Sequence, residues 1–139
     1  MSQRKRELML GIPYAHDWVD PKPAALDFDS SGEVAVYESV KVECFRVGDS
    51  PDLHVLPWPF RATHFALPAK GVTPLDGWVL EGLTLNGEEQ VMGFLPLVGL
   101  INTPLALRGC PTGSKVVMRL HNEAATPRRC RISLRGSRL

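Results

Sequence analysis

Residues 111–136 read PTGSKVVMRLHNEAATPRRCRISLRG, and this stretch decides the fold class. Val116, Met118 and Leu120 alternate with Val117, Arg119 and His121. Beyond the loop Asn122-Glu123-Ala124-Ala125-Thr126-Pro127, Cys130, Ile132 and Leu134 alternate with Arg129, Arg131, Ser133 and Arg135. A period of two turns one face of a strand to a core and the other to water. The spacing predicts a closing hairpin in which residues 115–121 pair with 128–135. Arg119, Arg129, Arg131 and Arg135 then share one outer face. Like charges opposed across a sheet repel. Such a face is either a solvated surface with charged gatekeepers or a contact for carboxylates, in the same chain or the next. Arginine suits the second role because its planar fork holds a carboxylate in two bonds.

Working back from this stretch, residues 77–85 and 88–94 flank Asn86-Gly87, a dipeptide that favours the positive backbone angles of a two-residue hairpin turn. Residues 60–67 read as another strand. In residues 33–47, Val34, Val36, Val40, Val42 and Cys44 share a face, but Phe45 and Val47 fall on the other side. That slip predicts a bulge or a crossing between sheets. Residues 95–103, apolar and broken by Pro96 and Gly99, suit a buried crossing loop. No stretch carries an amphipathic helical period. Seven or eight short strands with turns between them predict an all-β fold, an antiparallel β-sandwich of jelly-roll or related Greek-key topology.

Residues 1–32 read as an extended N-terminal arm, with residues 33–139 as a single sandwich domain. The arm opens with Arg4, Lys5 and Arg6 and runs through Pro13, Pro21 and Pro23, which disfavour helix. Tyr14, Trp18 and Phe28 are anchors spaced along it, either for the arm's own domain or for a neighbouring subunit.

The formal net charge of +1 over 139 residues hides a segregation. Residues 8–107 hold five basic and thirteen acidic side chains, a local net of −8, whereas residues 108–139 carry a net of +7. This layout favours complementary docking over general coating of nucleic acid. Residues 111–139 also lack any aromatic side chain for base stacking. Nucleic-acid contact is therefore expected to be weak and confined to Arg4, Lys5 and Arg6.

The three cysteines form no CxxC pair and are expected to be reduced. Cys44 and Cys130 read as small core residues and Cys110 as a loop thiol. The four histidines, His16, His54, His64 and His121, form no HxH, HxxxH or HExxH arrangement. His64 reads as a partly buried strand residue and His121 as a strand-end residue facing solvent or a partner. The expectation is no catalytic residue, no metal site and no cofactor. There is no signal-peptide pattern after Met1, and no apolar run has the length of a membrane span.

The order of features in the opening stretch is a turn of small residues (Pro111-Thr112-Gly113-Ser114), a strand over 116–120, then Asn122. A short loop with Pro127 and a closing strand ending in Leu134-Arg135-Gly136 follow. It resembles the last hairpin of small jelly-roll coat, minor-capsid or decoration proteins of bacteriophages, over the last half of the chain. The resemblance implies a structural role in a virion, assembled from copies made in the host cytoplasm. Its partners would be copies of itself and other particle proteins. Two alternatives stay open. One is a small-molecule or carbohydrate-binding sandwich using Trp58, Trp78 or Tyr37, and the other a metal-dependent cupin-like enzyme.

Overall fold

The computed structural model describes residues 22–139. Two antiparallel sheets pack face to face. One contains β1 (Lys22–Asp29), β3 (Phe60–Ala66) and β7 (Arg131–Arg138), in the order β1-β7-β3. The other contains β2 (Ser39–Val42), β4 (Trp78–Leu85), β5 (Glu88–Pro96) and β6 (Val116–Asn122), in the order β2-β6-β4-β5. A single helical turn, α1 (Leu97–Leu100), follows β5. From β1 to β4 the chain changes sheet at every step. Residues 101–110 then return to the free side of β3, where Leu105 N–H donates to the Thr63 carbonyl at 2.8 Å. Phe60 and Cys110 exchange backbone bonds of 2.9 and 2.8 Å there. This wrapped order is that of a jelly roll, with residues 101–110 in the place of an eighth strand.

The inward residues of both sheets make one core: Leu26, Phe28, Phe60, Phe65, Ile132 and Leu134 against Leu80, Leu83, Val116, Met118 and Leu120. The Asn86-Gly87 turn forms as the dipeptide predicts, with φ of +51° and +81° joining β4 to β5. The phase slip after Val42 is a crossing. Val42 still pairs with Met118 of β6, yet Arg46 exchanges bonds of 2.9 and 3.0 Å with Asp27 of β1.

The closing hairpin does not form. Both strands exist, but β6 pairs with β2 and β4, while β7 pairs with β1 and β3 in the opposite sheet. The segment between them is an arch over the end of the sandwich, tied down by Asn122. Its buried carboxamide donates to the carbonyls of Val34 at 2.8 Å and Thr126 at 3.1 Å. Its oxygen accepts from Ala124 N–H at 2.9 Å. Val34 and Arg128 also exchange backbone bonds of 2.7 and 3.1 Å, so the arch is fastened to the chain entering β2.

The arm boundary also shifts. Residues 22–29 are β1, paired along their whole length with β7, so residues 22–32 belong to the sandwich. Phe28 is 1% exposed and packs on Phe45 with ring centroids 5.9 Å apart. It is a core residue and not a subunit contact, because the period of two that begins at Leu26 turns it inward. Tyr14, Trp18, Arg4, Lys5 and Arg6 lie outside the described residues.

Two substitutions separate these roles. Phe28→Ala removes a large core side chain and should cost about 3–5 kcal/mol in urea unfolding, in dilute as in concentrated protein. Asn122→Ala leaves buried carbonyls and an N–H without partners and should cost about 2–3 kcal/mol by the same measurement.

Candidate functional site

Two surfaces bring charged or apolar side chains together. The first lies at the end of β1 and at the entry to β7, where the antiparallel register sets Asp29 opposite Arg131. Arg129 grips the Asp29 carboxylate with both arms of its fork, Nε to Oδ1 at 2.8 Å and Nη2 to Oδ2 at 2.6 Å. Arg131 Nε adds a bond of 3.0 Å to Oδ2, and Ser31 N–H one of 2.9 Å to Oδ1. Partial burial alone pushes the Asp29 carboxyl up. The Arg129 and Ser31 hydrogen bonds and the charges of both arginines outweigh it and hold the group below its ordinary range. The same carboxylate raises Arg129. A cleft of about 960 Å³ opens beside this clamp, lined by Lys41, Arg46 and Lys70 as well as Glu43, Asp49 and Asp52.

The four sequence-predicted arginines therefore do not share one face. Arg131 and Arg135 belong to the three-stranded sheet, with Arg129 just before its strand β7, and Arg119 belongs to the other, because the arch separates their strands. Arg135 donates to the Leu67 carbonyl at 2.9 Å, and Thr73 Oγ1 accepts from Arg131 N–H at 3.0 Å. The loop after β3 thus folds across the outer side of β7, and Ser133 beneath it is buried.

The second surface is the outer face of the four-stranded sheet. Its inward residues fix which side chains point out: Ser39 and Lys41 from β2, Arg119 and His121 from β6, Glu81 from a bulge in β4. Glu81 reaches Arg119 at 3.7 Å and His121 Nδ1 at 3.7 Å, Glu123 stands 3.7 Å from Nε2, and Ser39 Oγ meets Nδ1 at 3.1 Å. Phe94 of β5 lies edge-on to the His121 ring, centroids 6.3 Å apart. Met92 and Phe94 are 71% and 69% exposed, and Val98 in α1 is 59% exposed. The sequence reading missed this apolar ridge. The available signal was a strand, residues 88–96, with apolar residues on both faces instead of one.

Cys44 is half-buried rather than core, its Sγ 3.2 Å from His54 Nδ1. The phase slip, already begun beyond Val42, explains the difference. Cys110 is buried, not a loop thiol, because residues 101–110 pack along β3; burial raises its pKa against the opposing Ser114 bond. Burial first, then the Asp29 charge, pushes Cys130 up to about 12. Both buried thiols stay protonated and poorly nucleophilic at neutral pH. His64 is half-buried on β3, its Nδ1 2.9 Å from Thr63 Oγ1. Among the described residues no cluster of three or more His, Cys, Asp or Glu is placed to hold a metal ion. Trp78 is buried in the core, Arg138 lies 5.3 Å above the Trp58 ring, and Tyr37 stands exposed on a turn. No tryptophan or tyrosine lines the cleft. No helix among the described residues is long and apolar enough to cross a membrane.

No family model matches this chain, and neither a curated protein nor a solved structure matches it.

The clamp has a pH signature. A carboxylate held below its ordinary range stabilises the fold above the unfolded-state pKa, and that stability disappears as pH falls through the lower folded value. Asp29→Asn should thus lower the urea midpoint at neutral pH. The difference from the unmodified protein should shrink to zero once pH drops below the clamped carboxyl's own pKa. A constant difference across that titration would mean that Asp29 contributes by packing instead of charge.

Proposed function

We propose that the chain is a structural subunit, a coat or decoration component of a virus particle, acting through self-association and not through catalysis. The observation that carries the reading is the exposed pair Met92 and Phe94. Both stand out from β5, and Phe94 lies edge-on to His121 of the polar network. Apolar groups gathered in this way, rimmed by polar ones, mark protein contacts. The jelly roll supports the reading by analogy, since coat proteins use it, although lectin domains and cupins do too. The order of turn and strands in residues 111–136 resembles that of such proteins, but with β6 and β7 in opposite sheets it adds nothing beyond the jelly roll itself. The Asp29 clamp weighs against a phosphate-binding role for the arginines beside it, since Arg129 holds the carboxylate with both arms of its fork and Arg131 holds it through Nε.

Sedimentation and negative-stain imaging of the full-length protein test this reading. Self-association that rises with concentration, into closed rings or lattices, is the expected result; a monomer at high concentration would remove its basis. Replacing Met92 and Phe94 together by serine should weaken association by ten-fold or more, equivalent to about 1.4 kcal/mol. The melting temperature should stay close to that of the parent, since both side chains stand outside the core.

A further inference from the structure

Cys44 and His54 are brought together by the backbone. Phe45 and Leu53 exchange hydrogen bonds of 3.0 and 2.6 Å, and buried Phe45 anchors this bridge in the core. In an antiparallel ladder the next residues out, Cys44 and His54, then stand opposite each other as a closely spaced pair. The Cys44 Sγ lies 3.2 Å from His54 Nδ1 and 3.8 Å from Nε2. In either tautomer, a ring nitrogen without a proton is within reach of the thiol. The imidazole is exposed and makes no other hydrogen bond among the described residues, so it can exchange a proton with solvent. Two residues from Cys44, Arg46 exchanges backbone bonds of 2.9 and 3.0 Å with Asp27 of β1. Cys44, Arg46 and Asp27 thereby line one cleft, the cavity of about 960 Å³ beside the Asp29 clamp.

The charges on that cleft select what it takes. Arg129 and Arg131 are held by Asp29, Lys41 stands 3.9 Å from Glu43, and Arg46 stands 3.7 Å from Asp52. Lys70, Asp27 and Asp49 also line the cleft, and among the described residues none of them has an ion-pair partner. Asp27 is the sharper case, because its Oδ1 is buried and has no hydrogen-bond partner. A buried acceptor without a donor is costly. An ammonium group on a ligand supplies that donor, and a carboxylate beside it meets Lys70. An ammonium and a carboxylate together are the α-amino-acid end of a molecule.

We propose that Cys44, with His54 as its base, is a thiol–disulfide exchange site for small disulfides of amino-acid thiols, the cystine class. The Cys44 thiol proton passes to the His54 ring as Sγ attacks one sulfur of the disulfide. A new S–S bond forms to Cys44, the old one breaks, and the departing thiolate takes the proton from the imidazolium. Cys44 is oxidised to a mixed disulfide and the released half is reduced to a thiol, so no further oxidant enters. The site is separate from the exposed pair Met92 and Phe94 and does not depend on self-association.

Treating the reduced full-length protein with L-cystine tests this. One cysteinyl adduct, mapped to Cys44 by peptide mass, is expected, while buried Cys110 and Cys130 react only in urea. Hydroxyethyl disulfide, which is neutral, calibrates the cleft. The ratio of the cystine rate to the neutral rate should be roughly ten-fold higher at native Cys44 than at the same thiol in urea. Lys70→Glu should lower that ratio and leave the neutral rate unchanged. His54→Asn should slow both reactions roughly ten-fold at neutral pH, and the loss should vanish in alkaline solution, where thiols ionise without a base. Melting curves establish that each variant is folded. An unreactive Cys44 in the native parent, or a ratio equal in native and unfolded protein, would overturn the site. So would a Lys70→Glu ratio, or a neutral-pH His54→Asn rate, equal to the parent's.

Discussion

Connection between the two sheets depends on the buried carboxamide of Asn122. β6 ends in one sheet and β7 begins in the other, so the arch between them cannot take its hydrogen bonds from a ladder. Buried backbone groups need partners all the same. Asn122 supplies them in both senses, donating to Val34 and Thr126 and accepting from Ala124. Its own backbone bonds Tyr37 and Glu38 across the end of the sandwich. A leucine here would satisfy none of these groups, and an aspartate could not donate to the two carbonyls while ionised. The arch and the chain entering β2 are consequently one fastened unit, and the register of β2 on β6 follows from it.

The clamp at Asp29 explains where the segregated charge goes. The basic C-terminal third and the acidic middle meet inside the chain: a carboxylate near the start of the fold is gripped by arginines a hundred residues later. This happens because β1 and β7 are sheet neighbours, which brings opposite ends of the described sequence side by side. Arg129 and Arg131, at the entry to β7, are occupied in joining the first strand to the last.

The main divergence between sequence and structure has one physical cause. A period of two reports that a strand has a buried face, not which sheet supplies its neighbours. Val116, Met118 and Leu120 alternate identically whether β6 folds back on β7 or faces it across the core. The strands were therefore legible and their pairing was not. Asn86-Gly87 was legible in full because its turn is local chemistry. The slip at Phe45 was legible as a bulge or a crossing because it broke the pattern, and the structure makes it a crossing: the chain changes sheets there, and the inward side changes with it. The arm boundary failed because Pro21 and Pro23 look like linker, yet Pro23 sits on an edge strand, where a missing N–H is tolerated. The ridge at Met92 and Phe94 escaped notice because exposure of an apolar side chain is set by what lies opposite it, which no local pattern contains.

A sandwich with open margins can associate by adding strands edge to edge, and here each margin resists that. Arg46 bonds the free side of β1, and residues 101–110 cover β3. β2 is four residues long and carries Lys41, and β5 is distorted by two register shifts against β4. Short, charged or bulged edges are how sheets avoid pairing with strangers. Any contact between copies is then left to the faces. The outer face of the three-stranded sheet is crossed by the loop after β3, held through Arg135 and Thr73, with Ser133 buried below. Among the described residues, the surface left open is the outer face of the four-stranded sheet, where Met92 and Phe94 stand exposed beside the His121 network.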